Sequence, residues 1–435
     1  MDYYQDQEKV CLKLGYGDEF VELEYPRRKL LGVLTSKKIE EEREEEDIVK
    51  EALQRPVDSR KLSSLVLKGE KVVIIINDMT RLWVRHHVFM PILLEELNKG
   101  GIRDEDILVI SATGAHREQT EAEWRELVGD EVFNRVGIMD HRAKAHDEMV
   151  NLGITKFGTP IEVNKEIVNA DRVIITSGIV YHFLAGYGGG KKALMPGVCS
   201  YDSIMTNHKL SLNPNGRGLN PKVKAGKLDD NPISEDMLQV ANTVGVDFAF
   251  NVVIDEERHR IAYATAGEVE NSHILGAKFV DKYFGIKIDK QADLIIASCG
   301  GYPKDIDLYQ TYKTVHNMVP ALKPGGVGIL LSECREGIGN EKFYTIFTDH
   351  ENNDEREDYL RENYNIAGFM GFSQAIWAEE YKLILVSDLP DEKIRNMNMI
   401  PAKSLKNALD IAGDYLAAEH NAYIMPTGAV TYPLT

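Results

Sequence analysis

The sequence predicts an α/β protein of two domains built on mainly parallel sheets, and three observations carry that expectation. Short β-branched apolar runs bounded by turn residues recur along the chain, as strands buried on both faces do; VVIII at residues 72–76 is the clearest. Amphipathic helical patterns alternate with these runs. Residues able to do chemistry stand just past the ends of the runs, where open parallel sheets build ligand sites. A length of 435 residues suits two domains, expected at 1–275 and 276–435, with residues 421–435 returning to the first.

Residues Val10–Tyr25 alternate around a turn at Gly15–Asp18 and read as a β-hairpin. Ile39–Leu53 is a helix candidate whose EEEREEED run reads as a solvated face, ended by Pro56. From Lys71 the α/β rhythm sets in. KVVIIIND ends at Asp78, with Thr80 and Arg81 following and a helix through Pro91–Asn98. DILVISATGAH leads to His116 and Arg117, then a helix over Glu121–Val128. Val136–Asn151, which holds His141 and His146, has no clear period.

The run at Asp171–Ile175 leads to His182 and then to a loop with Gly186, Gly188, Gly189 and Gly190, followed by Lys191, Lys192 and, later, His208. Such a glycine-rich backbone is expected to let a ligand approach main-chain N–H groups closely. A nucleotide-triphosphate loop is excluded. That pattern needs a glycine where Ala185 stands and Ser or Thr where Lys192 stands.

Asn213–Asp230 reads as a long loop, Glu235–Val244 as a helix, Val246–Ile254 and His259–Thr265 as strands, and His273–Phe284 as a helix. A second α/β unit opens with DLIIASCGG and a helix from Lys304 on, bearing Tyr309, Gln310 and Lys313 within about one turn and Asp305 near its start. GGVGILLSEC, YKLILVSDL and AYIMPTGAV supply later strands.

Composition narrows the function classes. Lys+Arg number 51 against 69 Asp+Glu, and the net charge of −18 argues against general binding to nucleic acid or anionic membranes. The cysteines, Cys11, Cys199, Cys299 and Cys334, form no CxxC pair and no disulfide framework. MDYYQDQEKV lacks the basic-then-apolar pattern of a signal peptide, so a cytoplasmic location is expected. GxSxG, HExxH and a GxGxxG after the first strand are all missing, which weakens hydrolase, zinc-protease and nicotinamide readings. Histidines at strand ends suit acid–base work near neutral pH or binding of a borderline metal. Arg81 and Lys313 suit a substrate carboxylate. From the residues alone, the expectation is proton transfer on a small anionic substrate, with or without a metal.

Taken together, Asp78-x-Thr80-Arg81, Gly114-Ala115-His116-Arg117, His182-Phe183-x-Ala185-Gly186 with Gly189–Lys192, His208, and Tyr309-Gln310-x-x-Lys313 resemble the nickel-dependent lactate racemase family over nearly the whole chain. The resemblance implies two α/β domains with the active site in the cleft between them. It also implies nickel held in a pincer nucleotide, pyridinium-3,5-bisthiocarboxylic acid mononucleotide, covalently bound to Lys192, with His208 as the protein's metal ligand. Asp78, Thr80, Gly188, Gly189 and Gly190 are then cofactor-binding, and His116 and His182 the acid–base pair. Arg81, Tyr309, Gln310 and Lys313 become substrate-binding. The implied reaction interconverts D- and L-2-hydroxy acids by proton-coupled hydride transfer, on lactate first and on malate or a larger acid as the alternative. The implied partners are cofactor-making and nickel-inserting enzymes. A reading from another class is a non-catalytic carrier of the nucleotide, which would need Lys192 and His208 but no acid–base pair.

Overall fold

A computed structural model describes residues 4–5 and 8–434. The remaining N-terminal residues, on which the signal-peptide expectation partly rests, lie outside the described residues. The chain divides into two compact units, and each is an α/β assembly with a six-stranded sheet. One comprises Lys38–Ser211 and Asn220–Lys282; the other takes the residues through Lys37, Leu212–Leu219 and everything from Tyr283 on. This division replaces the single cut expected at 275/276. Residues 421–435 stay with the C-terminal part and do not return to the first unit. Among the described residues no helix is long and apolar enough to cross a membrane.

In the unit holding the glycine loop the sheet runs, edge to edge, Arg260–Gly267, Phe248–Asp255, Arg172–Gly178, Val72–Asn77, Ile107–Ala112 and Gly137–Asp140. Only the first pair is antiparallel. Val72, Ile74 and Ile76 point into a core formed with Ile48 and Leu53, with Phe89, Leu93 and Leu97, and with Leu127 and Val132. Val73 and Ile75, on the opposite face, are buried too. Burial on both sides is why the sequence shows an unbroken apolar run rather than alternation. The chain makes Val72–Asn77 first, places Ile107–Ala112 on one side and later Arg172–Gly178 on the other. The crevice at that reversal is where open α/β sheets take their ligands.

Several helix starts differ from the sequence reading, and two of them follow from local side-chain contacts. The first helix spans Glu45–Gln54, not Ile39–Leu53. Arg43 turns back on Glu41 through its backbone N–H (2.9 Å) and its Nε (3.0 Å), a local pairing that competes with helical geometry. Glu45, Glu46 and Asp47 then sit in the first turn, where the helix dipole favours them. The helix expected from Lys304 spans Leu308–Met318, capped by Asp307 accepting from the Gln310 N–H at 2.7 Å. Asp305 is fully buried and accepts instead from the Gly17 N–H at 2.7 Å, tying down the turn of the N-terminal hairpin. Val136–Asn151 supplies the edge strand Gly137–Asp140 and part of a small hairpin, Met149–Ile154 with Pro160–Asn164.

The second unit's sheet is parallel throughout, in the order Ile400–Ala402, Lys382–Val386, Leu322–Leu331, Ala292–Ser298, Ala422–Met425 and Leu30–Val33. The hairpin Lys9–Tyr16 with Glu19–Pro26 covers one face, with Val10, Leu12, Leu14 and Leu23 packed on Leu294, Ile296 and Ile329.

Candidate active site

Parallel register assembles the site from three strand ends. Asn77 is paired with Ala112, so the loops that follow them, starting at Asp78 and Thr113, lie side by side. Asp78 is buried, and one of its oxygens meets His116 Nδ1 at 2.6 Å while the other accepts from Thr80 Oγ1 at 2.5 Å. Burial alone would raise this carboxyl, but His116, Thr80 and the Arg81 charge outweigh it and hold the group below its usual range. Asp78 is therefore a carboxylate at neutral pH, and it accepts a hydrogen bond from His116 Nδ1–H. Nε2 is then the ring nitrogen not engaged by Asp78, on a side chain that is 52% exposed. Arg81 Nη1 donates to the Thr80 carbonyl (3.1 Å) and hydroxyl (2.9 Å).

The strand Arg172–Gly178 leads into a tight hairpin in which Tyr181 and His182 pair with Tyr187 and Gly186. Tyr181 and Tyr187 both donate to one oxygen of Asp281, at 2.6 and 2.5 Å, which clamps the hairpin. His182 Nε2 lies 2.9 Å from Lys192 Nζ. Burial, and then the Arg81 charge, push the Lys192 amine down to about 7. The neighbouring Lys191 faces elsewhere. It is 5% exposed and lines a separate cavity of about 110 Å³ with Asp229, Glu235 and Glu270.

The glycines act differently from the sequence reading. Gly188 donates its N–H to the Val180 carbonyl (2.8 Å), and Gly190 donates to Ser177 Oγ (2.8 Å) and Asn251 Oδ1 (2.9 Å). These N–H groups are consumed inside the protein and do not face a ligand. What demands glycine is packing. Gly190 has φ +54°, and a Cβ there would sit 2.7 Å from the His273 ring; at Gly189, with φ +80°, it would sit 2.9 Å from the Gly178 carbonyl oxygen. Ser177 and Asn251 escaped the sequence reading. A polar residue inside the apolar strand Phe248–Asp255 was the signal for Asn251.

His208 occupies the last turn of the helix Tyr201–Lys209, capped at its other end by Ser200. The ring is 3% exposed, its Nδ1 has no hydrogen-bond partner, and burial pushes it down to about 3, so the imidazole is neutral. A neutral imidazole with an unused nitrogen fits a metal-ligand role. No three His, Cys, Asp or Glu side chains gather into a metal site among the described residues. His141, by contrast, is structural: its Nε2 bonds the Cys199 carbonyl at 2.8 Å. Tyr309, Gln310 and Lys313 belong to the other unit, on the helix Leu308–Met318. There Lys313 Nζ donates to Gln310 Oε1 at 2.7 Å, and the Tyr309 ring meets Phe343 edge-on.

Burial of neutral histidines has a measurable consequence. His86, His141, His208 and His273 are pushed down to about 3, 4, 3 and 4, mainly by burial, from an ordinary 6.5. The unfolded chain protonates them near 6.5 and the folded chain does not. Their contribution to stability is therefore complete above pH 6.5 and declines as pH falls toward 3–4. Each ring costs about 1.4 kcal/mol per pH unit in that window. Urea midpoints are expected to be flat in this respect above pH 7 and to drop steeply from pH 6.5 to 5; a flat profile across pH 5–7 would contradict the burial.

A carboxylate-held histidine, a lysine amine paired with a second histidine and a neutral buried imidazole, set at the switch point of a parallel sheet, make an arrangement suited to proton transfer. Residues 16–219 match the lactate racemase N-terminal domain and residues 288–431 the lactate racemase C-terminal domain. The chain is 32% identical over 424 residues to a lactate racemase of Thermoanaerobacterium thermosaccharolyticum, covering 96% of this chain and 97% of that protein. It is 34% identical over 378 residues to a lactate racemase of Lactiplantibacillus plantarum, covering 85% and 86%. The solved lactate racemase apoprotein of T. thermosaccharolyticum matches with a TM-score of 0.89 at 32% identity, over 98% of this chain and 100% of that one. A Thermotoga maritima protein, at 18% identity and a TM-score of 0.61 over 90% of this chain and 98% of its own, shares the fold alone. The chain belongs to the lactate racemase family and is an enzyme of the isomerase class.

Proposed function

We propose that this enzyme interconverts the enantiomers of a 2-hydroxy acid, lactate foremost, using a nickel pincer nucleotide attached to Lys192 and ligated through nickel by His208. The observation that carries the reading is the pair of contacts His116–Asp78 and His182–Lys192, together with the buried, neutral imidazole of His208. The chemistry such a group supplies when bound is reversible acceptance of the carbinol hydrogen as hydride, which avoids a carbanion that no histidine could generate at neutral pH. The residues of this chain do the rest. His116, with Nδ1 engaged by Asp78, takes the hydroxyl proton at Nε2 and returns it. His182 serves the hydroxyl of the opposite enantiomer. Arg81 offers a planar guanidinium to the carboxylate, and Tyr309, Gln310 and Lys313 are assigned to orienting the substrate. Thr80 supports Asp78, while Gly188, Gly189 and Gly190 shape the loop that carries Lys192.

In this reading the enzyme works in the cytoplasm and depends on separate enzymes that make the cofactor and insert nickel. Protein co-produced with those enzymes is expected to convert L-lactate to a racemic mixture, followed by circular dichroism, with malate and larger 2-hydroxy acids as comparators. Conversion of malate but not lactate would reassign the substrate. A loaded protein that racemises no 2-hydroxy acid would revive the carrier reading, against which the His116–Asp78 pair stands, since a carrier has no use for an oriented base.

A further inference from the structure

The hydrogen bonds of His182 determine where its ring proton sits, and through it the state of Lys192. The backbone N–H groups of Leu184 and Ala185 both point at Nδ1, at 3.2 Å each. An N–H cannot accept, so Nδ1 presents a lone pair and the neutral ring keeps its proton on Nε2. Nε2 is the atom 2.9 Å from Lys192 Nζ. Two donors facing each other make no bond, so the lysine nitrogen must offer a lone pair. The reverse assignment, an ammonium donating to Nε2, would put the ring proton on Nδ1. There it would meet two amide N–H groups held in place by the hairpin that pairs His182 with Gly186.

We propose that His182 is a positioning residue for Lys192: it holds the lysine as a free amine, so that the apoprotein carries a nucleophile ready for acylation. This rests on the reading of Lys192 as the attachment point and adds to it how attachment is made ready. The electrophile is an activated acyl or thioacyl carbon. The N–C bond forms as the bond from that carbon to its leaving group breaks, and the proton shed by nitrogen departs with the leaving group. No oxidant or reductant enters. Once acylated, the nitrogen delocalises its lone pair into the new amide and no longer accepts from Nε2. Attachment thereby ends the pairing of the His182 Nε2–H with Lys192.

The test uses apoprotein and the acetyl ester of N-hydroxysuccinimide, reading the acetylation rate of Lys192 by peptide mass spectrometry against exposed Lys68 as internal reference. His182→Ala is expected to slow Lys192 at least about fivefold, the scale of one hydrogen bond, while Lys68 is unchanged. His182→Gln, whose amide retains an N–H donor near the Nε2 position, is expected to restore most of the rate. Nuclear magnetic resonance of apoprotein carrying isotope-labelled histidine is expected to show the His182 proton on Nε2. Equal rates in wild type and His182→Ala, no rescue by glutamine, or a proton on Nδ1 would each overturn the proposal. Failure of loaded protein to racemise would instead bear on the proposed function and leave these readouts standing.

Discussion

Lys192→Ala, co-produced with the cofactor-making enzymes, is expected to carry no mass adduct and no nickel, and to lose racemisation by at least about 10⁴-fold, because in the proposed mechanism the rate enhancement resides largely in the bound group. The loss should be specific. Lys192 is the amine that faces His182, and Lys191 cannot substitute for it because its side chain lines the separate cavity with Asp229, Glu235 and Glu270. Intact mass, metal analysis and dichroism-followed lactate conversion, with a urea midpoint close to wild type, together check the result. An adduct that survives in the variant would move the attachment point to another residue.

The second large effect concerns proton transfer. His116→Ala is expected to lower kcat by about 10² to 10⁴, the usual contribution of a positioned acid–base group. Because the two enantiomers are equally stable, kcat/KM must fall by the same factor in both directions. Asp78→Asn is expected to cost less, about 10- to 100-fold, since it removes the partner that sets the His116 tautomer while leaving the ring in place. Steady-state kinetics from each enantiomer separate the two cases. A His116→Ala enzyme at near-normal rate would remove that residue from the mechanism.

Much of the sheet could be read from the sequence because burial on both faces writes itself as runs such as Val72–Ile76. The three strand ends that build the site were readable for the same reason. What sequence could not supply was pairing at a distance. Asp78 was legible as a candidate residue, but its contact with His116 depends on the register of Asn77 against Ala112. The glycine loop looked like a ligand cradle, yet the Gly188 and Gly190 N–H groups are taken by Val180, Ser177 and Asn251, which only the folded sheet brings near. The start of the first helix was hidden by a pairing as local as Arg43 with Glu41, and the domain division by a single strand, Leu30–Val33, with nothing in its four residues to say which sheet it would join.

That strand also orders events on the ribosome. Leu30–Val33 forms the edge of its sheet only by pairing with Ala422–Met425, nearly four hundred residues downstream. The unit carrying Lys192 is almost continuous in sequence and can close while synthesis proceeds. Its companion must keep an early strand and hairpin waiting until the last strands emerge. Pairings that remote are slow to form and leave apolar edges open meanwhile. The unit that holds Tyr309, Gln310 and Lys313 is thus the later to mature, and a nascent chain folds the part carrying Lys192 before the part carrying those three residues.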